Sequence, residues 1–191
     1  MRLKALLFGF VLAALAFGQA SAQKFDLGVE AGANFANFIG SDVNTTLSSA
    51  PASKLGFVGG AFICLNFGNV IGIRPELLYE QKGAAISGTS TSDELDYIEV
   101  PILLKFSLGL PGINPALLVG PAFSWNTVAK DVNNNTIPGI NSSDVGIIGG
   151  IEVDIDKFLV SGRYELGLQN IRNNVNVQNG TITLLVGYSF I

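Results

Sequence analysis

The stretch that decides the fold runs from Val70 to Gly83 and has the sequence VIGIRPELLYEQKG. Its charged side chains all lie at even positions: Arg74, Glu76, Glu80 and Lys82. Large apolar side chains occupy odd positions: Ile71, Ile73, Leu77 and Tyr79. Successive side chains of a β-strand point to opposite faces, whereas on a helix these charges would be scattered around the axis. The stretch is therefore predicted to be a strand with one charged face and one apolar face.

The same period of two recurs in four other windows of the chain. Within each window the charged side chains share one parity: Asp26 and Glu30 in 25–38; Glu99 and Lys105 in 97–108; Asp144, Glu152 and Asp154 in 144–155; and Lys157, Arg163 and Glu165 in 157–170. Three further segments carry no charge but combine β-forming residues with alternating small ones. We therefore predict strands at residues 25–38, 55–66, 70–83, 95–108, 114–127, 143–155, 157–170 and 179–191.

Residues 55–73 carry no charge and compete as a transmembrane helix. Two Gly-x-x-x-Gly motifs, at Gly56–Gly60 and Gly68–Gly72, would suit the packing of such a helix. However, the segment contains five glycines, and glycine is the poorest helix former after proline. Because residues 67–69 have the composition of a turn, we interpret the segment as two strands joined tightly.

The connections between the predicted strands alternate in length. Short ones are expected at 67–69, 109–113 and Asp156, and longer polar ones at 39–54, 84–94, 128–142 and 171–178. Each strand exceeds the roughly 9–11 residues that cross a bilayer at a tilt. In outer-membrane barrels short turns face the periplasm and longer loops face outside. The expected fold is therefore all-β, an eight-stranded antiparallel up-and-down transmembrane β-barrel with both termini in the periplasm.

Composition indicates which face of the strands points outward. Charged residues make up 14% of the chain and hydrophobic residues 48%, whereas a soluble domain has about 25% charged residues. Small residues accompany the charges, as a narrow lumen requires: Gly28, Gly32, Gly72, Gly146, Gly150 and Gly167. Aromatic residues are expected in girdles on the opposite face: Phe25, Tyr79, Tyr97, Phe123, Trp125, Phe158, Tyr164, Tyr188 and Phe190. The alternative is a soluble, lipocalin-like binding barrel in the periplasm.

Residues 1–22 have the three parts of a secretory signal peptide. Arg2 and Lys4 form a basic start, residues 6–17 an apolar segment, and Ala20-Ser21-Ala22 a cleavage motif. We therefore expect a signal peptide at 1–22 and a barrel domain at 23–191, located in a bacterial outer membrane. Loss of Arg2 and Lys4 from the 11 cationic residues would leave nine beside 15 acidic ones, a net charge of −6.

The charges that this fold would place in the lumen are the main candidate site: Glu30, Arg74, Glu76, Glu80, Lys82, Glu99, Lys105, Glu152, Asp154, Arg163 and Glu165. Seven are acidic and four are basic. Small barrels are filled by their side chains, and unpaired buried charges are unfavourable. We therefore expect a plug of ion pairs around Arg74 and Arg163. The alternative is a narrow channel, or a component of transport or secretion.

The last strand carries a candidate insertion signal. Its alternate residues form one apolar face that ends in aromatic side chains: Leu184, Val186, Tyr188 and Phe190. This pattern is similar to the C-terminal signal of bacterial outer-membrane barrels, although the final residue here is Ile191. Barrel-assembly machinery is accordingly an expected partner.

Missing residue types limit the chemistry. The chain has no histidine and a single cysteine, Cys64, so His-dependent catalytic pairs, His-ligated metals and an internal disulfide are excluded. A lipid hydrolase or acyltransferase would need another base for its nucleophile, and no Ser has a suitable spacing. The acidic balance argues against nucleic acid as a partner. No enzyme activity, cofactor or metal is therefore expected.

Several phrases within the strands carry a family resemblance. They are LGVEAG at 27–32, PELLYEQKG at 75–83, YIEVPILLK at 97–105, GGIE at 149–152 and RYELGL at 163–168. Together they resemble the PorT-like outer-membrane β-barrel family of Bacteroidetes. The resemblance implies an outer-membrane location and an eight-stranded barrel, but no shared activity. We expect a structural or loop-mediated role in envelope integrity, adhesion or an envelope complex, with outer-membrane lipid and other envelope proteins as partners.

Overall fold

The computed structural model describes residues 24–39, 51–82, 84–86, 94–130, 143–169 and 178–191. Within these ranges the chain forms nine β-strands: β1 (Lys24–Ile39), β2 (Pro51–Phe67), β3 (Ile71–Lys82), β4 (Ala84–Ile86), β5 (Glu94–Ser107), β6 (Ile113–Lys130), β7 (Ser143–Ile155), β8 (Phe158–Gly167) and β9 (Gln178–Ser189). The long strands match the predicted ones to within a few residues. The expected signal peptide and most of the longer predicted connections lie outside the described residues.

The sheet closes on itself because β1 pairs with both β2 and β9. Glu30 of β1 lies opposite Gly60 on one side and Gly187 on the other. The other long strands pair in chain order, always antiparallel. The three-residue β4 pairs with the start of β2, where Ala85 faces Ala52, and prolongs the β2–β3 hairpin. The described strands thus form an eight-stranded antiparallel closed barrel, which confirms the predicted fold and leaves no long strand with an unpaired edge.

Residues 55–73 adopt the predicted strand–turn–strand arrangement. They belong to β2 and β3, which are joined by a turn at residues 68–70. Gly68 has φ of 74°, a left-handed conformation that glycine adopts without steric cost. Among the described residues, no helix has the length and the apolar character needed to cross a membrane.

Three tight connections and both ends of the described chain lie at one end of the barrel, here called the turn end. Lys24 pairs with Asn66 beside the first turn, and the backbone N–H of Phe190 donates to the carbonyl of Leu27 at 2.8 Å. The backbone N–H of Asp156 donates to the carbonyl of Gly112 at 3.2 Å, so the second and third turns are also adjacent. The opposite end is called the loop end.

The turn at Asp156 is as predicted, with φ of 53° at this residue. Lys157 belongs to the same turn, because β8 begins only at Phe158. The side chain of Lys157 is exposed, and its Nζ donates to the carbonyl of Phe190 at 3.1 Å. Its parity had grouped it with Arg163 and Glu165 on one strand face, and that grouping is wrong because the strand starts one residue later.

Side-chain exposure alternates along the long strands, and the exposed face is apolar. In β9, Ile182, Leu184 and Val186 are 51%, 54% and 58% exposed, whereas Thr181 and Thr183 between them are buried. A soluble barrel would have the reverse arrangement. The outer surface therefore suits contact with lipid, and the lumen is polar. Two small apolar clusters also face the lumen: Leu103, Leu118, Ala122 and Ile148, and Val58, Leu78 and Leu185.

The predicted aromatic girdle residues lie on the outer face, with one exception. Most are exposed or half-buried there: Phe25, Tyr79, Phe123, Trp125, Phe158, Tyr164, Tyr188 and Phe190. Tyr97 is instead 3% exposed, with Lys82 Nζ 5.7 Å from the centre of its ring. Tyr97 shares the odd parity of Glu99 and Lys105, so it faces the lumen with them. A register shift in the β5–β6 pairing occurs between Asp96 and Tyr97.

Candidate functional site

The lumen contains the charged residues that the sequence analysis singled out. All eleven project from inward-facing positions, ten of them are buried, and Asp154 is half-buried. They separate into two groups. The arginine network, toward the turn end, comprises Glu30, Arg74, Glu76, Lys105, Glu152, Asp154 and Arg163. The lysine cluster, toward the loop end, comprises Glu80, Lys82, Glu99 and Glu165.

Arg74 is the centre of the arginine network. Its guanidinium forms ion pairs with Glu152 at 2.5 Å, with Glu30 at 2.6 Å and, through Nε, with Glu76 at 2.8 Å. These partners come from β7, β1 and β3, so one side chain links three strands across the lumen. The Phe62 ring lies 3.9 Å from the guanidinium carbon and contributes a cation–π contact.

Arg163 binds the same acidic residues from the opposite wall. It donates to Glu76 at 2.6 Å and to Glu30 at 3.2 Å, and it approaches Glu152 at 3.9 Å. Two guanidinium groups thus share three carboxylates. Because Arg74 and Arg163 are only 1% and 5% exposed, these charge-assisted hydrogen bonds are shielded from water.

Lys105 extends the network toward the turn end. Its ammonium lies 2.8 Å from Glu152 Oε1 and 2.7 Å from Asp154 Oδ2. Beyond it, two adjoining cavities of about 400 and 360 Å³ are both lined by Asp26, Lys105 and Asp154. The lumen is therefore open at the turn end, as far as Lys105 and Arg74.

The lysine cluster places three carboxylates around one ammonium. Lys82 Nζ lies 2.6 Å from Glu165, 2.7 Å from Glu99 and 2.9 Å from Glu80. Ser124 donates its hydroxyl to Glu99 Oε2 at 2.8 Å. These contacts join β3, β5, β6 and β8, so the cluster ties together the loop-end half of the barrel.

The two groups differ in charge. The arginine network has four acidic and three basic side chains, whereas the lysine cluster has three acidic side chains and one basic one. The excess of acids in the predicted set is thus concentrated in the lysine cluster. This difference follows from the strand register and is invisible in the composition.

Glycines make room for the long charged side chains. A Cβ at Gly150 would lie 2.9 Å from Arg163 Cγ, and one at Gly146 would lie 2.7 Å from Glu165 Oε1. Both distances are shorter than side-chain carbons tolerate. The predicted alternation of small and ionic residues therefore reflects direct contact in these two places.

Sequence reasoning missed several uncharged polar residues of the lumen. Buried members of this group include Asn34, Ser124, Ser161, Asn179, Thr181 and Thr183. At the turn end, Asn66 donates to Asp26 at 2.6 Å and accepts a hydrogen bond from the thiol of Cys64 at 3.3 Å. The signal that could have revealed them is their inward parity, which was followed only for charged residues.

The candidate insertion signal lies on the outer face of β9 and the residues after it. Leu184, Val186 and Phe190 are exposed, and Tyr188 is half-buried. Tyr188 packs edge-on against Phe158 and Phe190, with ring centres 5.2 and 5.6 Å apart. The three rings form an aromatic cluster at the turn end, where β9 meets β8.

Solved structures share this architecture at low sequence identity. One is Ail, the attachment invasion locus protein of Yersinia pestis, in complex with the heparin analogue sucrose octasulfate. It is 14% identical, and the match covers 87% of this chain and 99% of that chain with a TM-score of 0.53. Another is Neisserial surface protein A, which is 15% identical. The match covers 86% of this chain and 97% of that chain, with a TM-score of 0.53. Both likenesses concern the fold.

No curated protein matches the chain. The family model described as "Outer membrane protein beta-barrel domain" matches residues 17–173. The matched segment includes all the strands from β1 to β8, and the lipid-type outer surface and polar lumen agree with it. The chain therefore belongs to the outer membrane protein beta-barrel domain family.

Proposed function

We propose that the protein is a non-conducting outer-membrane barrel with a structural role or a role mediated by its external loops. Such roles include envelope integrity, adhesion and support of an envelope complex. One observation carries the proposal: Arg74 and Arg163 share Glu30, Glu76 and Glu152 across the middle of the lumen. These side chains are almost inaccessible to water in the part of the chain that the structure describes, as expected of a plug.

Family membership supports an outer-membrane location. In the proposed orientation the turn end and both termini face the periplasm, and the segments 40–50, 87–93, 131–142 and 170–177 face outside. The proposal includes removal of residues 1–22 as a signal peptide, insertion by the barrel-assembly machinery through the signal at the end of β9, and contact with outer-membrane lipid. It also includes the finer PorT-like assignment within Bacteroidetes, which rests on the phrases at 75–83 and 97–105.

A non-enzymatic role agrees with the ion pairing of the lumen side chains. The buried carboxylates and bases hold one another in ion pairs, and a general base needs a free path to a substrate proton. The apolar outer surface argues against the soluble lipocalin-like alternative, because such a barrel keeps its apolar side chains inside. Envelope or adhesive functions need no reactive group in the lumen.

A narrow channel is the second candidate, and the cavities of about 400 and 360 Å³ at the turn end favour it. They would form the periplasmic vestibule of such a channel. Conduction would require the arginine network to open, because it closes the lumen immediately above Lys105.

Single-channel recording on the full chain in planar bilayers decides between the two candidates. The plugged barrel predicts no steady unitary current in the wild type. Replacement of Arg74 and Arg163 together by alanine should empty the middle of the lumen and give measurable conductance in the fraction that folds. Steady current through the wild-type barrel would contradict the plug and establish the channel.

A further inference from the structure

The three tight connections at the turn end differ in charge. The first lies within residues 55–73 and the second within residues 106–129, and neither range contains a charged side chain. The third contains Asp156 and Lys157. Connections that face water are usually built from polar and turn-forming residues. The first two connections therefore lack the charges that the third presents to water.

The two uncharged connections are in direct contact with each other. The backbone N–H of Ser107 donates to the carbonyl of Val70 at 2.7 Å. A Cβ on Gly109 would lie 3.2 Å from the carbonyl oxygen of Asn69. Together the two connections form one surface, here called the apolar corner, whose large side chains are Val70, Leu108, Leu110 and Ile113.

The large side chains of the apolar corner are exposed. Val70, Leu108 and Leu110 are 53%, 67% and 51% exposed. The second connection is held in this conformation, because the side-chain oxygen of Asn114 accepts hydrogen bonds from the backbone N–H groups of Gly109 and Leu110 at 2.9 and 3.2 Å. Exposed apolar patches mark surfaces that contact a membrane or another protein.

The apolar corner continues the apolar outer face of the barrel. Ile71 follows Val70 directly and is paired across the β3–β5 ladder with Phe106, and both members of this pair are exposed. No charge separates them from the corner, whereas at the third connection Asp156 follows the exposed Ile155 at once. A layer that covers the outer face would therefore extend over the corner without a break.

The outer face is long enough for lipid to reach the corner. Near its loop-end limit on β5, Asp96 accepts a hydrogen bond from the Tyr79 hydroxyl at 2.6 Å. Leu108 lies 12 residues further along the chain. At about 3.3 Å per residue and a strand tilt of about 40°, this interval spans about 30 Å along the barrel axis, which is the thickness of the hydrocarbon core. When Asp96 lies at one boundary between hydrocarbon and headgroups, Leu108 therefore lies at the other.

We propose that the apolar corner is inserted into the periplasmic leaflet and anchors one side of the barrel in the membrane. Its occupant is lipid, at the boundary between acyl chains and headgroups. The charged third connection, with Asp156 and Lys157, remains in water. The inference rests on the proposed function, because only a barrel that spans the membrane with its turn end in the periplasm places the corner in this leaflet. It deepens that proposal by naming the part of the turn end that binds lipid.

Spin labels can locate the corner relative to the membrane. Each label is attached to a single cysteine in the full chain, whose own thiol is removed by Cys64→Ser. The protein is placed in phosphatidylcholine nanodiscs, whose two faces are both open to solution. Leu108→Cys and Val70→Cys probe the corner, and Lys157→Cys is the matched control in the third connection. Leu184→Cys, on the outer face, is the reference for lipid.

The readout compares collisions of each label with oxygen, which concentrates in hydrocarbon, and with a water-soluble nickel chelate. We expect the oxygen-to-nickel ratio at Leu108→Cys and Val70→Cys to exceed that at Lys157→Cys severalfold and to approach that at Leu184→Cys. The two corner labels lie on different connections, so one of them still reports on the corner if the other variant folds poorly.

Two outcomes would overturn the proposal. Ratios at both corner labels as low as that at Lys157→Cys, beside a high ratio at Leu184→Cys, would place the corner in water, where a periplasmic protein could bind it. Equally high ratios at all three turn-end labels would mean that insertion is not confined to the corner. Neither outcome changes the proposed function, which fails together with this inference if the Leu184→Cys label itself is exposed to the nickel chelate.

Discussion

Two adjacent glycines in β7, Gly149 and Gly150, differ in the space that a side chain would find at each position. A Cβ on Gly150 would lie 2.8 Å from the carbonyl oxygen of Gly162 and 2.9 Å from Arg163 Cγ. A Cβ on Gly149 would meet no atom within 4 Å, because that position faces outward. The two positions therefore provide a matched pair in which the same substitution tests the packing of the lumen.

Gly150→Ala is expected to lower the free energy of unfolding by about 1–3 kcal/mol, the usual effect of overpacking. Gly149→Ala should stay within about 0.5 kcal/mol of the wild type. Urea titration in lipid vesicles, followed by the fluorescence of Trp125, measures both. Equal values for the two variants would mean that the Gly150 position tolerates a side chain beside Arg163.

Arg74 is the residue whose loss should matter most for stability. Arg74→Met would retain much of the side-chain volume but leave Glu30, Glu76 and Glu152 with Arg163 and Lys105 as their remaining cations. Breaking a buried ion pair by removing one partner costs about 3–5 kcal/mol. We expect a loss of that size in the same urea titration.

The control for Arg74→Met is Lys157→Met, which removes an exposed cation from the turn. It should change the free energy of unfolding by less than about 0.5 kcal/mol. A loss below about 1 kcal/mol for Arg74→Met would instead indicate that the network rearranges around the two remaining cations.

Parity predicted the inward direction of the eleven candidate charges and failed for Lys157, because the direction of a side chain follows the period of two only within the strand. It could not predict their partners. Glu30 meets Arg74 and Arg163, which lie 44 and 133 residues away along the chain. Those encounters depend on strand tilt and register around the whole barrel, and neither quantity is encoded in a local pattern.

At the scale of the element, β9 shows how one strand serves both lipid and lumen. Leu184 is 54% exposed on its outer face, while Leu185 beside it is 1% exposed. Leu184 lies opposite Gly162 of β8 and Ala33 of β1, well away from both ends of the strand. The side chain is therefore placed to test whether the outer surface contacts hydrocarbon.

Leu184→Arg should destabilise the barrel in a bilayer by about 2–4 kcal/mol, the cost of an arginine on the lipid face near the midplane. The measurement is equilibrium unfolding in phosphatidylcholine vesicles. Leu184→Ala separates the effect of charge from that of lost packing and should cost less. If the arginine variant were as stable as the alanine variant, this face would not lie in hydrocarbon.

Element boundaries were predictable where a charge or a turn marks them, and less so elsewhere. Asp156 marks the β7–β8 turn, and the strand ends that flank this turn were located within one residue. The start of β2 was placed at residue 55, but the strand begins at Pro51 and pairs there with β4. Lys54 is the single charge in residues 51–54 and defines no parity by itself, so only the pairing partner reveals the extension.

At the scale of the molecule, the charge of the longer connecting segments limits which partners can bind there by electrostatic attraction. Ail was solved with the heparin analogue sucrose octasulfate, a polyanion, whereas the likeness of this chain to Ail concerns the fold. The segments 40–50, 87–93, 131–142 and 170–177 contain three aspartates and one arginine. Binding of a polyanion needs clustered basic residues.

We therefore expect cells that carry this protein to bind no more heparin than matched cells without it, in a low-salt assay that favours electrostatic contact. A chain with lysines at Asp42, Asp93 and Asp131 provides the positive control for the assay. Salt-sensitive heparin binding by the wild type would show that the charge of these segments does not govern what they bind.

The direction of the whole barrel in the membrane is the remaining global property, and the proposed orientation rests on the difference between the two ends of the barrel. Connections at the turn end are short and closely bonded, as at Gly112 and Asp156, whereas the loop end joins its strands through longer segments. Short turns are periplasmic in this class of barrel. An epitope tag inserted between residues 134 and 135 should therefore be labelled by antibody on intact cells. The same tag at Gly112 should be labelled only after the outer membrane is permeabilised. The reverse pattern would place the termini outside and overturn the proposed orientation.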